Sequence, residues 1–394
     1  MITYPRWLEN TADAPRLRLI GIGNAGVHIA DRITRHTSFQ LETFALNSDK
    51  QSLNLSSAGT RIALGPMTTH GLGAGGDSET GLEAAKESLK DILTAIDGAD
   101  ILMICAGLGG GTGGPTAALV AKLGKERGAL PVAIITSPFR FEGRRRAAQA
   151  AEALTELKKH SDVIVHFEND RMADFSEPGQ DAQKTFAACD ELLAGAITTL
   201  ACVAKGGGPL PVSLPDLISI LRHSGDGCLF GSGSGEGDNR ADLALEEALR
   251  SPLLDNGRLL KNGSEVLVNI SGPSNIGFVE VAKIMQGVSS HTSDRTNLHL
   301  TLSVATNSDR LTVSLIGRTG IGELQHLPVR ETAPAPQPAL EEHKPNPKPP
   351  TQKIHQEDLP LEPIAKGRFV NSEPTIFEGE DLDIPTFIRR KLLN

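Results

Sequence analysis

Short apolar runs alternate with longer stretches of three-to-four-residue apolar rhythm through the first half of this chain. Leu17–Ile22, Phe44–Leu46, Ile101–Cys105, Val132–Thr136 and Val163–Phe167 have strand length, and Ile101–Cys105 is apolar throughout. A run of that kind reads as a strand buried on both faces. Between the runs, Val27, Ala30 and Ile33 form one helical stripe, and Leu82, Ala85, Leu89 and Ile92 form another in a helix predicted over Thr80–Ile96. Thr116–Leu123 reads as a further helix, with Pro115 at its first position. The alternation predicts an α/β domain built on a parallel sheet.

From Thr185 to Val203 the pattern changes to a nearly all-apolar helix carrying Phe186, Leu192, Leu193, Ile197 and Leu200. A helix apolar on most sides is buried between two bodies of structure, so it reads as a core helix joining two domains. Beyond the Gly206–Ser213 break, helices near Asp216–Leu221, Ala241–Arg250 and Val279–Met285 accompany a strand at Val266–Ile270. Two period-two strands follow, through Leu298–Val304 and Leu311–Leu315, giving a smaller α+β domain. The expected organisation is a loose arm at 1–15, an α/β domain at 16–184, the core helix at 185–208 and the α+β domain at 209–322. A Pro-rich linker at 323–377 and a terminal peptide at 378–394 complete it. The linker's composition predicts disorder with a reach of roughly 150 Å.

Composition narrows the function classes. The chain has 394 residues and a net charge of -9, which argues against a nucleic-acid partner. Cys105, Cys189, Cys202 and Cys228 show no metal-ligand spacing and read as reduced thiols of a cytoplasmic protein. Neither a signal peptide nor a bilayer-spanning run is read from the sequence, so no membrane insertion is expected.

The candidate chemistry lies in glycine loops. Ile101–Cys105 runs into Gly107 and then Gly109, Gly110, Gly111, Thr112, Gly113 and Gly114 ahead of a helix. A strand, glycine loop and helix N-terminus together form a phosphate site, because backbone N–H groups and the helix dipole face the anion. GIGNAG at Gly21–Gly26 is a second loop, and HGLGAGG at His70–Gly76 a third. Taken alone, GIGNAG with Asp49 after the next strand is a dinucleotide fingerprint and keeps an oxidoreductase in view. Three loops suit a triphosphate better, and none has the P-loop lysine pattern. Glu142 and Arg146 stand four apart, either as a surface ion pair or as ligand contacts. Asp190, one turn after Phe186, is either a helix charge or a base-reading carboxylate.

These motifs resemble the tubulin/FtsZ superfamily. The resemblance rests on Gly109–Gly113, Asn47–Asp49, Gly71–Gly75, Pro138–Arg146, Asn169-Asp170, Phe186 with Asp190, Ser251–Leu254 and Leu382–Arg390. It implies a GTP/GDP site with Mg²⁺. Phosphates would be held by Gly109, Gly110, Gly111, Thr112, Gly113, Ala74 and Gly75, and the nucleotide lined by Gly23, Asn24, Ala25, Gly26, Val27, His28 and Asn47. Glu142 and Arg146 would reach the ribose and phosphate side; Asn169, Asp190 and Phe186 would hold guanine. The resemblance also implies head-to-tail homopolymers in which the loop after the core helix completes the next subunit's site. That loop, Pro211–Asp216, keeps one acid, Asp216, as the catalytic candidate. Slow hydrolysis is therefore expected.

At the end of the chain, Asp383 reads as an N-cap and Pro385 as a first-turn residue, with Ile384, Phe387 and Ile388 on one face and Arg389 beyond. An amphipathic peptide on a long linker suggests partner docking, and the family resemblance implies that the partners are membrane-tethering and regulatory proteins of the bacterial division ring, and hence a place at the division site. Alternatives are a nucleotide-binding paralogue with little GTPase activity and, remotely, the oxidoreductase.

Overall fold

The computed structural model describes residues 15–36, 41–173, 181–206, 208–221, 228–304, 309–319, 376–377 and 380–381. The first half comprises β1 (Leu17–Ile22), α1 (Gly23–His36), β2 (Glu42–Asn47), α2 (Lys50–Asn54), β3 (Thr60–Ala63) and α3 (Pro66–Thr69). It continues through α4 (Ser78–Glu87), α5 (Leu89–Ile96), β4 (Ile101–Gly107), α6 (Gly113–Glu126), β5 (Leu130–Ser137), α7 (Arg144–His160), β6 (Val163–Glu168) and α8 (Asn169–Ala173). The six strands form one parallel sheet in the order β3-β2-β1-β4-β5-β6. Side chains alternate between its faces. Leu19, Met103 and Cys105 belong to the core facing α1 and the long helix α9 (Ala182–Lys205), whereas Ile20, Leu102 and Ile104 belong to the core under α4–α7. Burial on both sides is why these strands read as continuous apolar runs.

After α9 come α10 (Leu214–Leu221), β7 (Cys228–Gly235), α11 (Arg240–Leu249), β8 (Gly263–Gly272), α12 (Phe278–His291), β9 (Asn297–Val304) and β10 (Leu311–Thr319). Their four strands form a second sheet in the order β7-β10-β8-β9, with β9 parallel to β8 and the other pairs antiparallel. Leu193, Ala196, Ile197 and Leu200 of α9 share a core with the first sheet and with Phe230, Leu267 and Ile316 of the second. By length and composition Gln183–Lys205 could cross a membrane, which corrects the reading that no run is long and apolar enough. Here its apolar residues fill the space between two sheets.

Several local expectations change. The helix expected over Thr80–Ile96 is two helices, α4 and α5, joined at Ser88. Ser88 Oγ accepts from Gly65 N at 3.0 Å and donates to Ala63 O at 3.2 Å, so a tertiary contact breaks the helix there. α6 begins at Gly113, after Thr112 at the N-cap position, so Pro115 is its third residue, where an N–H would still lack an intrahelical partner. The glycine-rich stretch Gly231–Gly235 lies within strand β7. Cβ atoms on Gly231, Gly233 and Gly235 would fall 2.2–2.4 Å from backbone atoms of α11, so this face is bare to let the helix approach.

Among the described residues beyond Thr319, Ile376–Phe377 pairs antiparallel with Glu380–Asp381. The candidate arm, most of the linker, and Asp383, Ile384, Pro385, Phe387, Ile388 and Arg389 lie outside the described residues.

Candidate functional site

Strand order reverses between β1 and β4, and in open parallel sheets the crevice outside the carboxyl ends at such a switch is where ligands bind. A cavity of about 390 Å³ occupies that position. Gly23, Asn24 and Ala25 line it from the β1–α1 turn, Asn47 from the end of β2, and Ala74 and Gly75 from the third glycine loop. Gly110, Gly111, Thr112 and Gly113 line it from the β4–α6 turn, with Glu142, Arg146 and Asn169 closing the far side. The three glycine loops therefore converge on one space.

The backbone around the cavity is fixed by short polar contacts. Asn47 Nδ2 donates to Asn24 Oδ1 at 2.7 Å, and Ser48 Oγ and Thr112 Oγ1 lie 2.6 Å apart, joining the ends of β2 and β4. Asp49 Oδ1 accepts from Gln51 N (2.9 Å) and Ser52 N (3.3 Å), so this acid caps α2 while facing the cavity. Glu142 pairs with Arg146 and accepts from Phe139 N at 2.8 Å. Ser137 Oγ lies 2.6 Å from His166 Nε2. Burial, reinforced by Lys158, pushes the His166 imidazole down to about 4, so it stands neutral beside the cavity at pH 7.

An adjoining cavity of about 410 Å³ is lined by Ala25, His28, Glu142, Asn169, Phe186 and Asp190. Its wall joins Phe186, expected there, to Phe139 and Phe141, to which the sequence assigned no individual role. Phe139 and Phe141 stack at 4.8 Å between centroids, and Phe186 meets Phe139 edge-on at 5.6 Å. Phe139 is buried, but Phe141 and Phe186 keep exposed ring surface. Aromatic spacing gave no signal, because Phe139 and Phe186 are far apart in the chain. Burial raises the Asp190 carboxyl above its ordinary range, against the pull of His28 and Arg32.

Four candidates stand apart from these walls. Val27 is fully buried against Ala45, Leu53 and Ala58, and Gly26 is buried where a Cβ would fall 2.1 Å from Cys105 O; both are packing positions. Gly109 has φ +85° and would place a Cβ 2.6 Å from Arg146 O, so it shapes the turn from behind. Asp216 lies on α10, whose Leu217, Ile218 and Leu221 pack under Leu17, Ile101, Leu130 and Val163, the first residues of β1, β4, β5 and β6. It is thus at the opposite end of the sheet from the cavity. Its side chain bonds to Ser213 Oγ, and its N–H donates to the same hydroxyl at 3.3 Å, a capping arrangement for α10.

The model of the Tubulin/FtsZ family GTPase domain matches residues 16–177, and that of the FtsZ family C-terminal domain matches residues 227–321. Among solved structures, an empty FtsZ dimer from M. jannaschii is 32% identical, with a TM-score of 0.69 over 80% of this chain and 90% of that one. The chain belongs to the tubulin/FtsZ family. Two structures from Haloferax volcanii share the fold at lower identity. The CetZ1 GDP-bound monomer is 20% identical, with a TM-score of 0.64 over 78% of this chain and 95% of that one. The CetZ2 GTPγS-bound protofilament is 23% identical, with a TM-score of 0.64 over 78% and 94%. Strand order alone would not have separated this fold from a dinucleotide-binding one, since both run 3-2-1-4-5-6. The second domain and the family match do so, and the oxidoreductase reading is set aside.

Proposed function

We propose that this chain binds GTP and GDP in the joined cavities and assembles head to tail into filaments that hydrolyse GTP slowly at subunit junctions. The observation that carries the proposal is the placement of the cavity and Asp216 at opposite ends of one sheet. In that arrangement Asp216 cannot serve its own subunit's cavity but can serve that of a stacked neighbour. An unclosed heterologous contact of this kind propagates as a filament.

The cavity's residues have matching roles. Phe186 offers a ring face to the base, Asp190 accepts from the N1–H and exocyclic amine of guanine, and the loop N–H groups take the phosphates. The residues fit Mg²⁺ held mainly by the triphosphate and water, as that ion prefers. Asp49 and Glu142 are already engaged, the Ser48–Thr112 hydroxyl pair remains, and no cluster of three metal-ligating side chains occurs among the described residues. Bound there, the ion would neutralise phosphate charge. Asp216 of the adjoining subunit would orient and deprotonate the attacking water.

Slow turnover follows from the loop before α10. Between Gly206 and Asp216 the sequence is GGGPLPVSLPD, with one acid. Leu210 ties this loop to β9, its carbonyl accepting from Leu302 N at 3.1 Å and Thr301 Oγ1 at 3.0 Å. The same anchored loop, with its single acid, favours a second reading, a paralogue that filaments with little turnover and acts as a structural or regulatory partner. A cytoplasmic role in the bacterial division ring, with the 378–394 peptide docking tethers and regulators, completes the proposal. Phosphate release followed together with light scattering after GTP addition is the test. Asp216→Asn is expected to lower turnover about a hundredfold, the lower end of the range for a lost general base, while scattering persists. Unchanged turnover in that variant would contradict the assignment.

A further inference from the structure

The loop Leu72–Asp77 is tied to α7 by a contact that sequence separation hides. Gln149 Nε2 donates to the Gly76 carbonyl at 3.0 Å, and Arg145 Nη2 reaches the same oxygen at 3.4 Å. The start of the loop is held independently, by Lys50 N on Gly71 O at 3.0 Å and Gly73 N on Ser48 O at 3.2 Å. Its end leads into α4, where Asp77 Oδ2 accepts from Thr80 N at 3.0 Å. Gly75 and Gly76 both take positive φ, +59° and +77°, and a Cβ on either would meet nothing within 4 Å. These glycines are therefore needed for backbone direction rather than for room. The Gly76 carbonyl is the point at which α7 grips this turn.

We infer that Gln149, assisted by Arg145, is a positioning residue for the terminal phosphate of a nucleoside triphosphate, holding the Gly75–Gly76 turn against the phosphate end of the cavity. The inference rests on the nucleotide reading above and adds a determinant of triphosphate over diphosphate. Phe186, Asp190 and Asn169 mark the base end, and the loop takes no part in lining that cavity. It lies instead beyond the β4–α6 turn, close enough that a Cβ on Gly111 would fall 2.9 Å from Ala74 Cβ and 2.7 Å from Asp77 O. A bound diphosphate ends short of this wall, whereas a third phosphate reaches it. Loss of the Gln149 grip acts on the second ligand and spares the first.

The test is equilibrium binding of GTPγS and of GDP to the full chain and to Gln149→Met and Gln149→Glu. The first variant removes the donor, and the second sets a carboxylate against a carbonyl. The ratio of GTPγS to GDP affinity is expected to fall about fivefold in Gln149→Met, the effect of one neutral hydrogen bond, and further in Gln149→Glu, with GDP affinity unchanged. Because Gln149 acts through Gly76, combining Gln149→Met with Gly76→Ala is expected to cost less than the sum of the single changes. Equal loss for both nucleotides, an unchanged ratio, or simple additivity would overturn the assignment. If the unaltered chain bound neither nucleotide, the nucleotide reading would fail first and this inference with it.

Discussion

Gly81→Ala is expected to weaken nucleotide binding about tenfold to a hundredfold, the range set by the cost of overpacking a tight contact. Gly81 lies on α4, outside every glycine motif, yet a Cβ there would fall 1.9 Å from Gly111 O and 3.2 Å from Thr112 Cα. Alanine in a helix interior is normally favoured over glycine by about 1 kcal/mol, so propensity alone predicts a better helix. The contact predicts the reverse for the site, because the methyl must displace the cavity-lining Gly111–Thr112 backbone or push α4 away. Titration calorimetry with GDP, beside circular dichroism to confirm folding, measures the effect. A folded variant with unchanged affinity would show that the β4–α6 turn does not hold phosphate.

Asp190→Asn is expected to lower GTP affinity at least about a hundredfold, because two hydrogen bonds to an ionised acceptor contribute roughly 1.5–3 kcal/mol each. The amide presents a donor where guanine's exocyclic amine also donates. The same variant should gain affinity for xanthosine triphosphate, which carries an acceptor at that position. A pH dependence follows with a definite sign. Burial raises the Asp190 carboxyl, more strongly than His28 and Arg32 lower it. Guanine needs the ionised form, so GTP affinity should be full above that raised value and decline as pH falls through it, starting higher than for an ordinary aspartate near about 4. Competition binding of GTP and xanthosine triphosphate across pH reads both effects. An Asp190→Asn variant that still preferred GTP would remove Asp190 from the base site.

Features whose cause is local were legible in the sequence. The β4 run is apolar because both faces are covered, and the loop after it is glycine-rich where a strand turns into a helix beside the cavity. The core helix announced itself through apolar residues on most sides, since it meets two sheets at once. Features set by a distant partner were not legible. Ser88 breaks a helical rhythm for the sake of Gly65 and Ala63, and Gly231, Gly233 and Gly235 are bare for the sake of α11. Gly26 and Val27 sit in or beside a glycine motif yet serve packing, because in the first turn of α1 Asn24 and Ala25 face the cavity while Gly26 and Val27 turn to the core. Phe139 and Phe141, separated from Phe186 by more than a helix and a strand, became an aromatic wall only through the fold.

The central claim is tested most directly by cryo-electron microscopy of the full chain mixed with GTPγS and Mg²⁺. The account predicts filaments in which a single nucleotide touches the three glycine loops of one subunit and the Ser213–Asp216 turn of the next. Nucleotide-loaded chains that stay monomeric, or filaments whose junctions leave that turn far from the nucleotide, would contradict it.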